Sequence, residues 1–253
     1  MKFFSMRWLV VASLIGLGAA GVLSSNVGCG DSDETGTAGT GGGAGGSGGS
    51  GGGSVVPRYA DTFDTDKEMW SLSTYVDSNY KNLGAASDPD SGVNLDGGMV
   101  PTLEWSGACG DPSPGCLKLT VTFSGFKEYV DPQVNVATPV DLMSGGHNIV
   151  RARIRLVSGT FPTGGVQFHV SSGLSGNNAY VYVSAPFVNS SSLVLGTWTQ
   201  ITLDTNTVTP TDGRTFDPSQ IVQFGIQFTT GDPFEGGTAT WGQAVFEIDT
   251  ITG

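Results

Sequence analysis

The chain is poor in charge. Of its 253 residues 13% are Asp, Glu, Lys or Arg, and only 11 of these are basic. The formal charge is −12, and removal of residues 1–28 takes Lys2 and Arg7 away, leaving 9 basic against 23 acidic residues, or −14. Such a chain repels phosphate backbones, which argues against nucleic-acid binding. Histidine is scarcer still. His147 and His169 are the two present; they lack metal-binding spacing, and no Ser-His-Asp grouping or nucleophile elbow accompanies them. No glycine-rich stretch ends in the Lys-Ser/Thr that a phosphate loop requires. A convincing helical period is absent throughout, and so is a strong repeat at solenoid spacing.

Cysteine is limited to three residues, Cys29, Cys109 and Cys116. The last two flank "CGDPSPGC", where Gly110, Pro112, Pro114 and Gly115 favour a tight loop, and an exported protein can oxidise them to a disulfide. Closing so short a loop is worth roughly 2–3 kcal/mol in the chain-entropy account. Cys29 is then left over.

What the chain has in quantity is glycine, 40 residues, much of it in one early stretch. The N-terminus places Lys2 and Arg7 ahead of or within the start of an apolar run from about Trp8 to Leu23, followed by small residues. This is the pattern of a secretory signal over residues 1–28, too short and wrongly flanked for a permanent span. Its end, "NVGC", resembles a bacterial lipobox, which implies lipidation of Cys29 and anchorage to a membrane, at a bacterial outer membrane or cell surface. Asn26 stands where that pattern prefers leucine, so a soluble exported protein cut between Ala19 and Ser25 is the alternative. Residues 29–55 carry "DSDETGTAGTGGGAGGSGGSGGGS", which cannot form a core and reads as a disordered tether. About 24 such residues have a typical end-to-end distance of about 25–30 Å.

From residue 56 to 253 the signals change to short alternating runs broken by Gly, Pro, Asn and Asp. In "CLKLTVTFSG" Leu117, Leu119, Val121 and Phe123 share one face. In "IVRARIRLVSG" Val150, Ala152, Ile154 and Leu156 oppose Arg151, Arg153 and Arg155. In "GVQFHVSSG" Val166, Phe168 and Val170 oppose Gln167, His169 and Ser171. Further strands are expected at "NAYVYVSA", "TWTQITLDT", "IVQFGIQFTT" and "AVFEIDTIT", with earlier ones at 59–63, 71–75 and 98–105. Eight or more antiparallel strands with turn-rich links predict one all-β domain, a two-sheet antiparallel sandwich of jelly-roll type.

The domain opens "YADTFDTDKEMWSL" and closes "GQAVFEIDTITG", with "TWTQITLDT" and "FDPSQIVQFGIQF" between. Together these resemble the jelly-roll carbohydrate-binding modules of the galactose-binding-like superfamily, over roughly residues 59–252. The resemblance implies carbohydrate binding without catalysis, adjacent first and last strands, and a structural calcium at Asp64 and Asp249; nearby in the sequence, Asp61 and Asp66 are further candidate oxygens. Calcium suits clustered oxygen ligands that join two chain ends. The "EID" of the last strand is also similar to the Glu-x-Asp-x-x-Glu strand of jelly-roll glucanases. Here Thr252 stands where the second glutamate is needed, and a retaining pair of carboxyls cannot be formed without it.

Polar positions opposite the core face nominate the ligand site: Arg151, Arg153, Arg155, Gln167, His169, Tyr180, Tyr182, Gln223 and Gln227. Aromatic rings stack on sugar faces and amides or guanidinium groups meet hydroxyls. Trp70, Trp105 and Trp241 are further possible platforms, and Trp198 is expected in the core. The expected protein is a monomeric, exported binding module for polysaccharide. Alternatives are an adhesion lipoprotein contacting another protein, or a glycosidase or lyase in which Arg153, His169 and Tyr180 would be the nearest catalytic candidates.

Overall fold

A computed structural model describes residues 58–87, 98–111, 114–173, 180–211, 213–233 and 239–253. The export signal, Cys29 and the tether expected from the sequence lie outside the described residues. The strands in chain order are β1 (Ala60–Asp61), β2 (Ser71–Leu72), β3 (Lys81–Asn82), β4 (Thr102–Ser106), β5 (Cys116–Phe123), β6 (Glu128–Val130) and β7 (Pro132–Val140). After these come β8 (Ile149–Gly159), β9 (Gly165–Ser172), β10 (Val181–Ser184), β11 (Val188–Asn189), β12 (Thr199–Asp204), β13 (Ile221–Thr229) and β14 (Gly242–Thr252). Among the described residues the helical segments are three short 3₁₀ turns.

Two sheets form the sandwich. The first runs β12-β8-β14-β5-β4 with β1 on β14, and the second runs β10-β9-β13-β6-β3 with β7, β2 and β11 attached. All pairs are antiparallel except β3 with β6. This is the all-β, two-sheet jelly-roll architecture expected from the alternating pattern.

Alternation explains the core. Leu117, Leu119, Val121 and Phe123 of β5 are at most 1% exposed. Val166, Phe168 and Val170 of β9 face them from the other sheet together with Phe224, Ile226 and Phe228 of β13. Aromatic rings bridge the layers: Phe228 and Phe246 lie 4.4 Å apart, and Phe161 meets both edge-on. Rings of this size bury the apolar area that stabilises a sandwich core at about 25 cal/mol per Å².

The first and last strands of the domain lie together as the resemblance implied. Ala60 pairs with Thr252 and Asp61 with Ile251, while the Arg58 and Tyr59 amides donate to the Gly253 carbonyl. The Tyr59 ring stacks on Phe224 at 3.9 Å, carrying the N-terminal strand into the core.

Strand β7 departs from the sequence expectation, which placed no strand between Phe123 and Ile149. Pro132 and Pro139 interrupt the usual strand signal, since proline donates no ladder hydrogen bond. In the fold Pro132 sits at the first residue of β7, and tertiary pairing with β13 supplies the rest. A register shift between Ile221 and Gln223 marks the same neighbourhood.

Candidate functional site

The nine residues nominated by strand parity do not share one face. Strand β8 belongs to the first sheet and strands β9, β10 and β13 to the second, so Arg151, Arg153 and Arg155 point outward on the side opposite to Gln167, His169, Tyr182, Gln223 and Gln227. Parity fixed the direction of each side chain; the sheet to which each strand belongs depends on long-range pairing that periodicity does not carry.

On the first sheet the arginines hold the structure together. Arg155 Nε donates to Glu247 Oε2 at 2.8 Å, its Nη2 reaches the same carboxylate oxygen, and Nη2 also donates to the Cys109 carbonyl at 3.2 Å. Arg153 donates to the Asp111 carbonyl and lies 3.1 Å from its carboxylate. Both guanidinium groups lie over Trp198, at 5.4 and 4.5 Å from the ring centroid. Trp198, expected in the core, is thus a half-buried plate under two cations on the outer face, a cation–π arrangement. Arg151 is exposed between Thr202 and Thr252.

The Cys109–Cys116 disulfide is formed, and its loop is what the arginines clamp. Asp249, 0% exposed, accepts the Asp111 amide at 2.7 Å and the Thr250 hydroxyl at 3.0 Å. Glu247 and Asp249 point away from the apolar face as parity required, yet the loop buries them. Their role there is to secure a loop to a strand. Glu247 is locked to Arg155, so it stands poorly as the nucleophile of a paired-carboxylate mechanism.

The calcium residues fit the ion unevenly. Asp249 has both oxygens engaged by protein donors beside Arg153, and Asp64 is exposed with the Thr62 hydroxyl on its Oδ2 at 3.0 Å. Asp66 caps the Glu68 amide, and Asp61 takes the Tyr59 hydroxyl and the Trp70 indole. The open oxygen in this region belongs to Glu68, whose Oε2 is buried without a hydrogen-bond partner. Burial, then the neighbouring Asp61, pushes the Glu68 carboxyl up to about 7, against the pull of the Phe63 and Thr62 amides. Among the described residues the one cluster of His, Cys, Asp and Glu within ligating reach is Cys109, Cys116 and Glu247, where both sulfurs are spent in the disulfide.

The second sheet presents a different surface. Gln167, His169 and Ser171 point away from the core, yet they are 7%, 1% and 2% exposed, so this part of the face is recessed. Antiparallel register places Gln227 beside Gln167, Gly225 beside His169 and Gln223 beside Ser171. The neighbours complete two hydrogen-bonded rows. Gln167 Nε2 donates to Tyr182 Oη at 3.1 Å and Gln227 Oε1 at 2.8 Å; Ser171 Oγ donates to Gln223 Oε1 at 2.9 Å, whose amide donates to Asn135 at 3.1 Å.

Between the rows lies His169. Its Nε2 is 2.8 Å from Asp131 Oδ1, its ring is tilted under Tyr182 at 4.9 Å, and a Cβ on Gly225 would collide with the imidazole. Glycine is needed there for close approach, not for backbone freedom. Burial, then the Asp131 carboxylate, holds the phenols of Tyr182 and Tyr129 well above the ordinary tyrosine range, so both remain hydroxyl donors. Tyr182 is 39% and Tyr180 49% exposed, and Tyr75, whose carbonyl accepts the Tyr129 hydroxyl, is 70% exposed.

Sequence reading missed Asp131, Asn135, Tyr75 and Tyr129. Asp131, Asn135 and Tyr129 lie in segments for which it assigned no strand, while Tyr75 ends the strand expected at 71–75, of which the fold pairs Ser71–Leu72. Of the tryptophans, Trp70 is fully buried, Trp241 packs edge-on against Phe126, and Trp105 is 40% exposed with its indole donating to the Phe63 carbonyl at 2.6 Å.

No protein-family model matches the chain, and no curated protein matches it in sequence. Among solved structures, a carbohydrate-binding module of the β-sandwich superfamily is similar at TM-score 0.43 and 19% identity, over 60% of this chain and 52% of that one, so this chain spans about half of that structure. A family 11 carbohydrate-binding module from Clostridium thermocellum, in complex with a β-1,3-1,4-mixed-linked tetrasaccharide, is similar at 0.40 and 9% identity over 62% of this chain and 85% of that one. A xylan-binding domain from Paenibacillus barcinonensis is similar at 0.40 and 12% identity over 78% and 99%. These likenesses concern the course of the chain. What the site does is argued from its own residues.

Proposed function

We propose that the protein binds carbohydrate, without transforming it, on the outer face of β10, β9, β13 and β7. The observation that carries this reading is the pair of amide and hydroxyl rows, Tyr182–Gln167–Gln227 and Ser171–Gln223–Asn135, recessed and flanked by exposed tyrosines. Sugars combine apolar ring faces with many neutral hydroxyls, and such a surface offers stacking rings and alternating donors and acceptors for them. Charge complements the argument. The arginines of β8 are on the other sheet, where Arg153 and Arg155 are engaged with Asp111, Glu247 and Trp198 and Arg151 is exposed.

The export pattern and the Gly/Ser tether support display of this face from a lipid at Cys29 on a bacterial outer membrane or cell surface. Loss of membrane association in a Cys29→Ala variant is the expected result, read by fractionation.

Isothermal titration of the protein against neutral polysaccharides, mixed-linkage β-glucan and xylan among them, and anionic ones such as alginate tests the function. Saturable binding with no new reducing ends is expected. Silence across the panel would sink the reading, and released sugar would move it to an enzyme. The same titrations in chelator read the calcium expected from the terminal strands: lost affinity or a lowered Tm would support a bound ion.

A further inference from the structure

Asp131 is a nearly buried carboxylate, 8% exposed, whose Oδ1 meets His169 Nε2 at 2.8 Å. The other ring nitrogen, Nδ1, is closed to solvent and has no hydrogen-bond partner. A proton there would be a buried donor without an acceptor, so the imidazole brings no compensating charge. Asp77 is half-buried and accepts the Asn79 and Tyr80 amides on Oδ1 at 2.6 and 3.1 Å. Among the described residues neither carboxylate pairs with a lysine or arginine: Lys81 is held by Glu128, Lys127 by Asp232, and Arg153 and Arg155 serve the other sheet. Buried charges are as a rule paired, and this face leaves its negative charge to be met from outside.

Three tyrosines stand near these charges. The Ser73 amide donates to the Asp131 carbonyl at 2.9 Å, and Asn82 Nδ2 donates to the Ser73 and Tyr75 carbonyls at 2.8 and 2.7 Å, which pins this segment beside Asp131. Tyr75 is 70% exposed there, and its carbonyl accepts the Tyr129 hydroxyl. Tyr182 lies over His169 on one side and is 39% exposed. The field reaches both buried phenol groups: burial, then Asp131 and Asp77, raises that of Tyr129, and burial, then Asp131, raises that of Tyr182. An ammonium group is drawn both to the face of an aromatic ring and to negative charge beneath it. Charge acts across a few ångströms of a poorly solvated face without contact, so the exposed rings supply the contact and the carboxylates the field.

We infer that this part of the polar face is an ammonium subsite, in which the exposed rings of Tyr182 and Tyr75 receive protonated amino groups over the charges of Asp131 and Asp77, and that the glycan it selects is built of amino sugars with free amines. This inference rests on the proposed carbohydrate-binding reading and names the ligand class for it. The amide and hydroxyl rows meet the hydroxyls of such a chain as they meet those of a neutral sugar. The amine adds an attraction that a hydroxyl lacks. N-acetylation removes the charge, and an anionic sugar is repelled. The formal charge of −12 draws a cationic polymer toward the molecule as a whole.

The test compares β-1,4-linked hexasaccharides that differ at one position: glucosamine carries an ammonium at C2, N-acetylglucosamine an acetamide and glucose a hydroxyl. In calorimetric titrations of the protein at mildly acidic pH, the glucosamine hexamer should bind about tenfold more tightly than either of the others, and added salt should narrow that ratio. Asp131→Asn keeps a polar group against His169 and removes the charge, and the ratio should fall to about twofold. Asp77→Asn and Tyr75→Ala should each narrow it about threefold, and they carry the test if circular dichroism shows Asp131→Asn unfolded. Equal affinity for the three hexamers overturns the inference and leaves the carbohydrate reading intact, as does a ratio that none of the variants moves. A lysine hexapeptide that binds as tightly as the glucosamine hexamer overturns the sugar assignment. Silence of all three hexamers overturns the inference, and the carbohydrate reading falls with it only if the polysaccharides named above are silent too.

Discussion

The outer faces of the two sheets are built from similar alternating strands and used in opposite ways. On the first sheet, charged side chains are paired: Arg155 with Glu247, Arg153 with Asp111, and a disulfide loop closes over them. On the second, the side chains are mostly neutral amides, hydroxyls and phenols, joined in short rows, with one buried His–Asp contact. A paired charge under a cross-linked loop has little left to offer a ligand. A neutral row with exposed tyrosines keeps donors, acceptors and ring faces available. The comparison teaches that polarity on a sheet face says little until one asks which of its groups are already satisfied.

The sharpest way to break the comparison is to unpair a charge on the first sheet. Glu247→Ala leaves Arg155 without its carboxylate under the loop, and a loss of about 2–4 kcal/mol is expected for a partly buried pair of this kind. Urea denaturation measures it, and polysaccharide affinity should not change. Opening the loop with Cys109→Ser and Cys116→Ser together should lower stability by about 2–3 kcal/mol, again with binding retained. Parallel losses of binding in these variants would show that the two faces are coupled.

The second sheet should respond the other way. Tyr182→Ala removes a part-exposed ring and the hydroxyl held by Gln167; affinity for a bound polysaccharide should drop by about 1–2 kcal/mol while stability changes less. A variant that unfolds instead would place Tyr182 with the structural residues.

The smallest effect concerns pH. The Glu68 carboxyl is raised from its ordinary 4.5 to about 7 by burial and by Asp61. A carboxyl raised in the folded state binds its proton more tightly there, so its contribution is fully present below pH 4.5 and is lost as pH rises through about 7. Stability should therefore decline across that window, and Glu68→Gln, which mimics the protonated acid, should flatten the decline in thermal melts. Calcium at this carboxylate would oppose the decline, and adding the ion during the melts reveals it.

Much of the fold was legible in the sequence because apolar residues alternate cleanly in β5, β8 and β9 and turn residues bracket them. The pairing of Cys109 with Cys116 was legible from loop length. Strand β7 was not, because Pro132 and Pro139 mask a segment whose pairing partner, β13, is some ninety residues away. Asp131 shared that fate, since an isolated Asp-Pro looks like a turn until His169 is folded against it. Gln167, His169, Tyr182, Gln223 and Gln227 were nominated by parity and do fall on one sheet. Arg151, Arg153 and Arg155 were nominated by the same rule and fall on the other.

The sequence by itself determined the period, and with it which side chains of each strand enter the core and which leave it. That follows from the two-residue repeat of an extended backbone, a local property. Only the tertiary structure decided which strands are neighbours. It set Glu247 under Arg155, left Asp249 to the Asp111 amide, and laid His169 between Gly225, Tyr182 and Asp131. These contacts join residues far apart in the chain, and their choice depends on how two whole sheets pack, which no local pattern encodes.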